Sequence, residues 1–320
     1  MIVKKRTIEL AFTYALFILW MLLVLFEIKE YNVWSQILSI DINDNVFQNM
    51  YETHHPHLLR FALMYPIILL SEYLNIDLNL VFGIEALVIN LIIFFLLNKI
   101  MNHIFQTKRY YILVLLLLFS INLFMHGRII FGFFGISILL HTFYFNTVKE
   151  YSNIKFFTII AVALFLMSVS TGTFIVGIVS VVLYILLNTH YNYSKTKKLF
   201  NFKILLLIIG LIAIKPLIQQ YIDKNLDYFD GSVILMLSHG IGRIFYNQYV
   251  LFTFLLFLPV ASIMGIIMYK KTMKNIYYVT IVPILIATFS IGLFGHSTLS
   301  VGLPAIFTLI SIYINKKRIK

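Results

Sequence analysis

The densest chemistry in this chain lies in residues 41–60 (DINDNVFQNMYETHHPHLLR), which carry Asp41, Asp44, Glu52, His54, His55, His57 and Arg60. A carboxylate facing a membrane-embedded pocket has its pKa raised and can take a proton from a hydroxyl, so Asp41 and Asp44 are candidate general bases. The same oxygens suit a divalent cation. The run His54-His55-Pro56-His57 offers imidazoles to a metal. Its HHxH spacing is not that of a closed zinc site, however, and the chain has no cysteine to complete one. Pro56 fits better as the opening of the helix that follows, where its missing N–H costs nothing.

Three arginines could recognise an anion. Arg60 lies just inside that helix, Arg128 ends His126-Gly127-Arg128, and Arg243 ends the stretch SHGIGR over 238–243. A guanidinium at a membrane boundary is costly unless it snorkels or pairs, and its fork matches phosphate oxygens. A second polar loop, 222–248, holds Asp223, Asp227, Asp230, His239 and Arg243, and its part 226–240 reads as a short helix lying on the membrane. Glu52 and His239 complete the set of candidate substrate contacts. The plainer readings are solvated loops for the acids, headgroup contacts for the arginines, and a turn residue for His296. No histidine is spaced to activate Ser170 or Thr171. The chain has no P-loop, no strand–helix GxGxxG and no HExxH, which argues against a nucleotide-driven pump.

The elements that must position these residues are apolar. The chain is 61% hydrophobic and 12% charged, with a mean hydropathy of +0.92, which excludes a soluble globular domain. Its apolar runs approach 20 residues, enough at about 1.5 Å per residue to cross a hydrocarbon core of roughly 30 Å. They do not alternate as barrel strands would. The net charge of +12 sits in short Lys/Arg clusters between the runs, which marks topology rather than nucleic-acid binding. Without cysteine there are no disulfides. The first run follows Lys4-Lys5-Arg6, is too long for a signal h-region and lacks a small-residue cleavage site, so it is read as an uncleaved span.

The apolar segments fall at 9–28, 57–74, 80–98, 110–126, 129–147, 156–167, 174–187, 204–221, 249–268, 276–294 and 298–314. Segment 57–74 carries Arg60, Pro66, Ser71 and Glu72 and is read as a re-entrant or surface helix. The hydroxyls and Gly172 of 168–173 (SVSTGT) split 156–187 into two crossings joined by a tight turn. With both termini in the cytoplasm, this layout puts 19 of the 25 basic residues inside, against 15 if 57–74 crosses and 156–187 is one span. The expected fold is therefore all-α: a single multi-pass transmembrane domain over 1–320 in the cell membrane, with ten crossings (10–11). Its outer loops are 29–79 and 222–248, and its carboxylates gather on the extracytoplasmic side.

The order of these features resembles membrane glycosyltransferases of the GT-C type and the EpsG- and Wzy-type polysaccharide polymerases. A first span leads to an outer acidic loop with Asp41 and Asp44. His55-Pro56-His57-Leu58-Leu59 opens an apolar helix, Lys108-Arg109 follows an inward span, and Arg128 opens the helix over 129–148. The resemblance covers about 9–187. It implies a polyprenyl-phosphate-linked sugar donor and sugar transfer or glycan polymerisation outside the membrane, with Asp41 or Asp44 as the base and Arg128 and Arg243 on the pyrophosphate. In place of an adjacent acidic pair the chain has Asp41-Ile42-Asn43-Asp44. Ser170-Thr171-Gly172 stands where such proteins often carry His-Ser or His-Tyr.

The expected partners are a lipid-linked sugar phosphate, membrane lipid and other polysaccharide-assembly proteins of the cell envelope, with no nucleic acid. No cofactor is expected, a divalent cation being the one group the outer acids can hold. Two other functions fit the composition: a transporter or flippase for a lipid-linked glycan, and a non-enzymatic membrane partner of an envelope complex. In the first, Asn90 and Lys215-Pro216 would be the main polar points inside the membrane.

Overall fold

The computed structural model describes residues 5–26, 46–52, 58–112, 114–116, 118, 129–196, 202–228, 230–232, 234–235, 275–291 and 301–318. The described regular elements are all α-helical, with no strand among them. In chain order they are α1 (Lys5–Leu25), α2 (Val46–Glu52), α3 (Leu58–Leu74), α4 (Leu78–Phe105), α5 (Ile129–Lys149), α6 (Asn153–Met167), α7 (Thr171–Thr196), α8 (Phe202–Tyr228), α9 (Asn275–Ile291) and α10 (Leu303–Arg318). Four of them, α1, α4, α5 and α7, are long and apolar enough to cross a membrane. Their outward faces agree: Phe12, Ile18, Leu19, Ile92, Phe95 and Leu186 are all exposed, a surface that suits lipid rather than water. The chain fits an α-helical membrane protein.

α5 is the centre of the bundle. It packs against α4, α6, α7, α9 and α10, and Phe131, Phe133, Ile136, Leu139, Leu140 and Phe143 are buried along it. Without a hydrophobic driving force in lipid, helices associate through close packing at small residues. A Cβ on Gly135 would collide with the side chain of Met167 and come within 2.7 Å of the Ala163 carbonyl oxygen, so α5 and α6 touch almost backbone to backbone. A Cβ on Gly177 would meet Leu164 at 2.7 Å, which brings α7 onto α6.

The contacts fix direction. Phe82 meets Phe131 near the starts of α4 and α5, and His103 meets Tyr144 near their ends, so the two helices run parallel. The finish of α4 and the start of α5 therefore lie at opposite ends of the bundle. Phe82 to His103 spans about 32 Å of helix at about 1.5 Å per residue, close to one crossing. Gly132 faces Thr173 and Val301, while Asn146 reaches Tyr184. Thus α7 also runs parallel to α5, and α10 starts at the same end. Gly135 lies against Met167 and Gly302 against Thr288, so α6 and α9 finish there. Two ends result. The Gly132 end gathers the N-termini of α4, α5, α7 and α10. The Arg109 end holds the start of α1 and the finish of α4, α5 and α7, with Arg6, Lys99, Lys108, Lys149 and Lys155.

The hydroxyl-rich stretch 168–173 does break the long apolar run, for a local reason. Ser168 Oγ donates to the Phe165 carbonyl at 2.6 Å, and Thr173 Oγ1 donates to the carbonyls of Met167 and Ser170. These side chains satisfy the last carbonyls of α6, which a buried helix end cannot leave unpaired. Between α3 and α4 the turn is built by Asn75 in the left-handed region (φ 50°). Asp77 then caps α4 on the N–H groups of Asn79 and Leu80 at 2.9 and 3.2 Å. α3 is shorter than the four long helices and buries Phe61, Met64, Ile67 and Ile68 on one face. α8 continues to Tyr228, beyond its apolar run. Asp223 and Asp227 therefore stand on helix, and 226–228 belong to α8 rather than to a separate surface helix.

At the Arg109 end one polar network ties α1 to α4. The Glu9 side chain is 9% exposed and its Oε1 accepts from Arg109 Nη2 at 2.7 Å and Nε at 3.2 Å. Its Oε2 accepts the Tyr110 backbone N–H at 3.3 Å. Asn98 and Asn102 both donate to the Arg109 carbonyl at 3.0 Å, and their own oxygens accept the N–H groups of Tyr111 and Arg109. The hydrogen bond to Glu9, with its nearby charge, holds the Arg109 pKa above the ordinary guanidinium value.

Candidate functional site

Of the residues singled out in the sequence, Asp41, Asp44, His54, His55, His57, Arg128, His239, Arg243 and His296 lie outside the described residues. Glu52 is the last residue of α2, exposed, and accepts from Gln48 Nε2 at 2.8 Å. Arg60 occupies the first turn of α3. α3 carries Phe61 and Tyr65 onto Phe47 of α2, with ring centroids 5.0 and 4.9 Å apart, so these two short helices form one aromatic corner that carries both Glu52 and Arg60.

The described residues add an acid that the sequence reading passed over. Glu85 stands two turns into α4, one turn beyond Phe82, near the Gly132 end. It is half-buried, and its Oε2 is shut off from solvent with no hydrogen-bond partner. A carboxylate within an apolar helix costs roughly 2.5–3.5 kcal/mol on insertion scales and ordinarily marks a pathway or a site. The signal was present in the sequence as a lone Glu in the run 80–98, masked by the strong hydropathy of its neighbours. The Gly132 end therefore combines a half-buried carboxylate with several helix N-termini. Exposed backbone N–H groups and the positive dipole ends make such termini favourable to phosphate. In sequence, Arg128 directly precedes Ile129, the first described residue of α5. Asp77 already occupies the N-terminus of α4.

The other polar points inside the bundle are mostly satisfied. Asn90 donates to the Ala86 carbonyl at 2.7 Å. Tyr184 OH accepts from Asn146 Nδ2 at 2.6 Å, lies 3.1 Å from Thr147 Oγ1 and donates to the Phe143 carbonyl at 3.2 Å. Its ring stacks on Phe143 with centroids 4.0 Å apart. Lys215 is exposed on α8 beside Pro216. Ser170 and Thr171 form the α6–α7 turn, a structural role that accounts for them. Among the described residues, no three His, Asp or Glu side chains gather as a metal site.

No family model, no curated protein and no solved structure matches this chain.

Proposed function

We propose that the chain is a multi-pass membrane glycosyltransferase or polysaccharide polymerase. It would take a polyprenyl-phosphate-linked sugar at its Gly132 end, facing the extracytoplasmic side, with some ten crossings and both termini in the cytoplasm. The observation that carries this reading is the gathering of four helix N-termini at the end of the bundle that also carries the half-buried carboxylate Glu85; in sequence, Arg128 directly precedes α5. A phosphate is favoured by those termini and by a guanidinium, a polyprenyl chain by the apolar grooves between helices, and an acceptor hydroxyl by a nearby base. The segregation of basic residues to the Arg109 end supports the orientation. In this reading Arg128, with Arg60 and Arg243, holds the phosphate. Asp41, Asp44 or Glu85 takes the proton from the acceptor hydroxyl as the glycosidic bond forms and the polyprenyl phosphate leaves.

The test is transfer of labelled sugar from a polyprenyl-phosphate donor in membranes carrying the protein. Arg128→Ala, Asp41→Asn, Asp44→Asn and Glu85→Gln are compared with the parent at equal folded amounts. The proposal expects loss of product from Arg128→Ala and from at least one of the acid variants; normal product from all four defeats it. One observation favours a second reading: an unpartnered carboxylate inside the bundle also suits a flippase for a lipid-linked glycan. Lipid flux in proteoliposomes without sugar transfer would select that reading.

A further inference from the structure

Away from the Gly132 end, one face of α4 carries a feature that sugar transfer does not use. Ile84, Val88, Ile92 and Phe95 are exposed at 39, 48, 40 and 46%, and they recur every three or four residues, forming one continuous apolar ladder. The next two steps of the same ladder are Lys99 and His103, both exposed. They gather around Phe145 of α5. The Lys99 ammonium lies 5.5 Å from the Phe145 ring centroid, and the His103 and His141 rings lie 5.3 and 4.6 Å from it. His103 is held in place by Nδ1 hydrogen-bonded to Tyr144 OH at 2.9 Å. No ion pair joins Lys99, His103 or His141 to a carboxylate among the described residues; the pair found there is Arg109–Glu9. Lys99 thus stands with two imidazoles around one aromatic side chain, with no carboxylate paired to it among the described residues, at the foot of an apolar strip.

We infer that the α4–α5 face at Lys99, His103 and Phe145 is a specific site for an anionic phospholipid. Its phosphate sits between Lys99 and His103, and its acyl chain lies along Phe95, Ile92 and Val88. The dimensions agree. From Val88 to Lys99 is about 16 Å at about 1.5 Å per residue, one leaflet of a hydrocarbon core of roughly 30 Å. Charge complementarity selects an anionic headgroup over a zwitterionic one, because the Lys99 ammonium, which no described carboxylate pairs, gains from net negative charge. Phe145 holds the ammonium over its ring face and so orients it toward the headgroup. The site lies at the opposite end of the bundle from the proposed transfer site, so it regulates or anchors rather than supplies substrate.

The test uses the purified full chain in detergent, titrated with phosphatidylglycerol or phosphatidylcholine, with bound lipid counted by native mass spectrometry. Phosphatidylglycerol is expected to bind in preference, and Lys99→Gln to weaken it about fivefold, the worth of one basic residue near an anionic surface. Lys99→Arg, which keeps the charge, should bind as the parent does, as should Lys155→Gln, which removes a lysine elsewhere at the same end. Equal binding of the two lipids overturns the assignment. So does unchanged binding by Lys99→Gln, an equal loss from Lys155→Gln, or displacement of the lipid by an equal concentration of inorganic phosphate.

Discussion

Replacing Arg109 with Gln should destabilise the protein more than replacing Glu9 with Gln, although the two side chains form one ion pair. The asymmetry follows from burial. The Glu9 side chain is 9% exposed and that of Arg109 34% exposed. Arg109→Gln removes both guanidinium bonds from Oε1 and leaves the carboxylate with only the Tyr110 N–H at 3.3 Å. Breaking a fully buried pair costs about 3–5 kcal/mol. Solvent reaches the arginine here, so the expected loss is nearer about 2 kcal/mol. Glu9→Gln keeps an acceptor near Arg109, and the freed guanidinium can turn to the lipid headgroups, so about 1 kcal/mol or less is expected. The double variant should resemble Glu9→Gln, giving a coupling of about 1–2 kcal/mol in a double-mutant cycle. The raised Arg109 pKa sets the pH dependence. A cation whose folded pKa is raised contributes fully below its ordinary value and loses that contribution only as pH climbs through the raised one. The ranking therefore holds across about pH 6–9. The assay is equilibrium unfolding in mixed micelles with rising dodecyl sulfate. If Glu9→Gln is as costly as Arg109→Gln, or the double variant is additive, the network is not the staple between α1 and α4 described above.

Gly135→Ala should cost about 1–3 kcal/mol because its methyl group meets the Ala163 carbonyl, whereas Gly210→Ala on α8, which has open space, should be neutral in the same unfolding assay. Thr173→Val removes the hydroxyl that pairs the end of α6 and should lose about 1–2 kcal/mol, read as faster proteolysis at the 168–170 turn. Tyr184→Phe should cost about 1–3 kcal/mol by removing the hydroxyl that joins Asn146, Thr147 and the Phe143 carbonyl; an unchanged unfolding midpoint would contradict that. Glu85→Gln should leave the unfolding midpoint unchanged or raised, since it removes a carboxylate whose enclosed Oε2 has no partner; where Glu85 is the base, it should also abolish sugar transfer.

The helical, lipid-facing character of the chain was legible from run length and composition, because about 20 apolar residues have few alternatives to a crossing. The break at 168–173 was legible too, as hydroxyls and a glycine interrupting a run too long for one helix. The end of α8 was not: Asp223, Asp227 and Asp230 made 222–228 look like loop, while Gln219 Nε2 to Asp223 Oδ1 at 3.0 Å supports a helix that continues past its apolar part. The pairing of Glu9 with Arg109 spans a hundred residues, and no local pattern announces it. Glu85, His103 and His141 escaped notice because hydropathy averages over a window and hides single ionisable residues. Their significance comes from which helices run parallel, and that is a property of packing.

The central claim, that the Gly132 end holds a polyprenyl phosphate, is tested most directly by equilibrium binding of a polyprenyl phosphate to the purified protein in lipid nanodiscs. The unphosphorylated polyprenol serves as control. The account predicts a clear preference for the phosphate and a loss of about 10–100-fold in Arg128→Ala, the worth of one charge-assisted hydrogen bond. Glu85→Gln should retain affinity. Equal binding of phosphate and alcohol, or full affinity in Arg128→Ala, would contradict it.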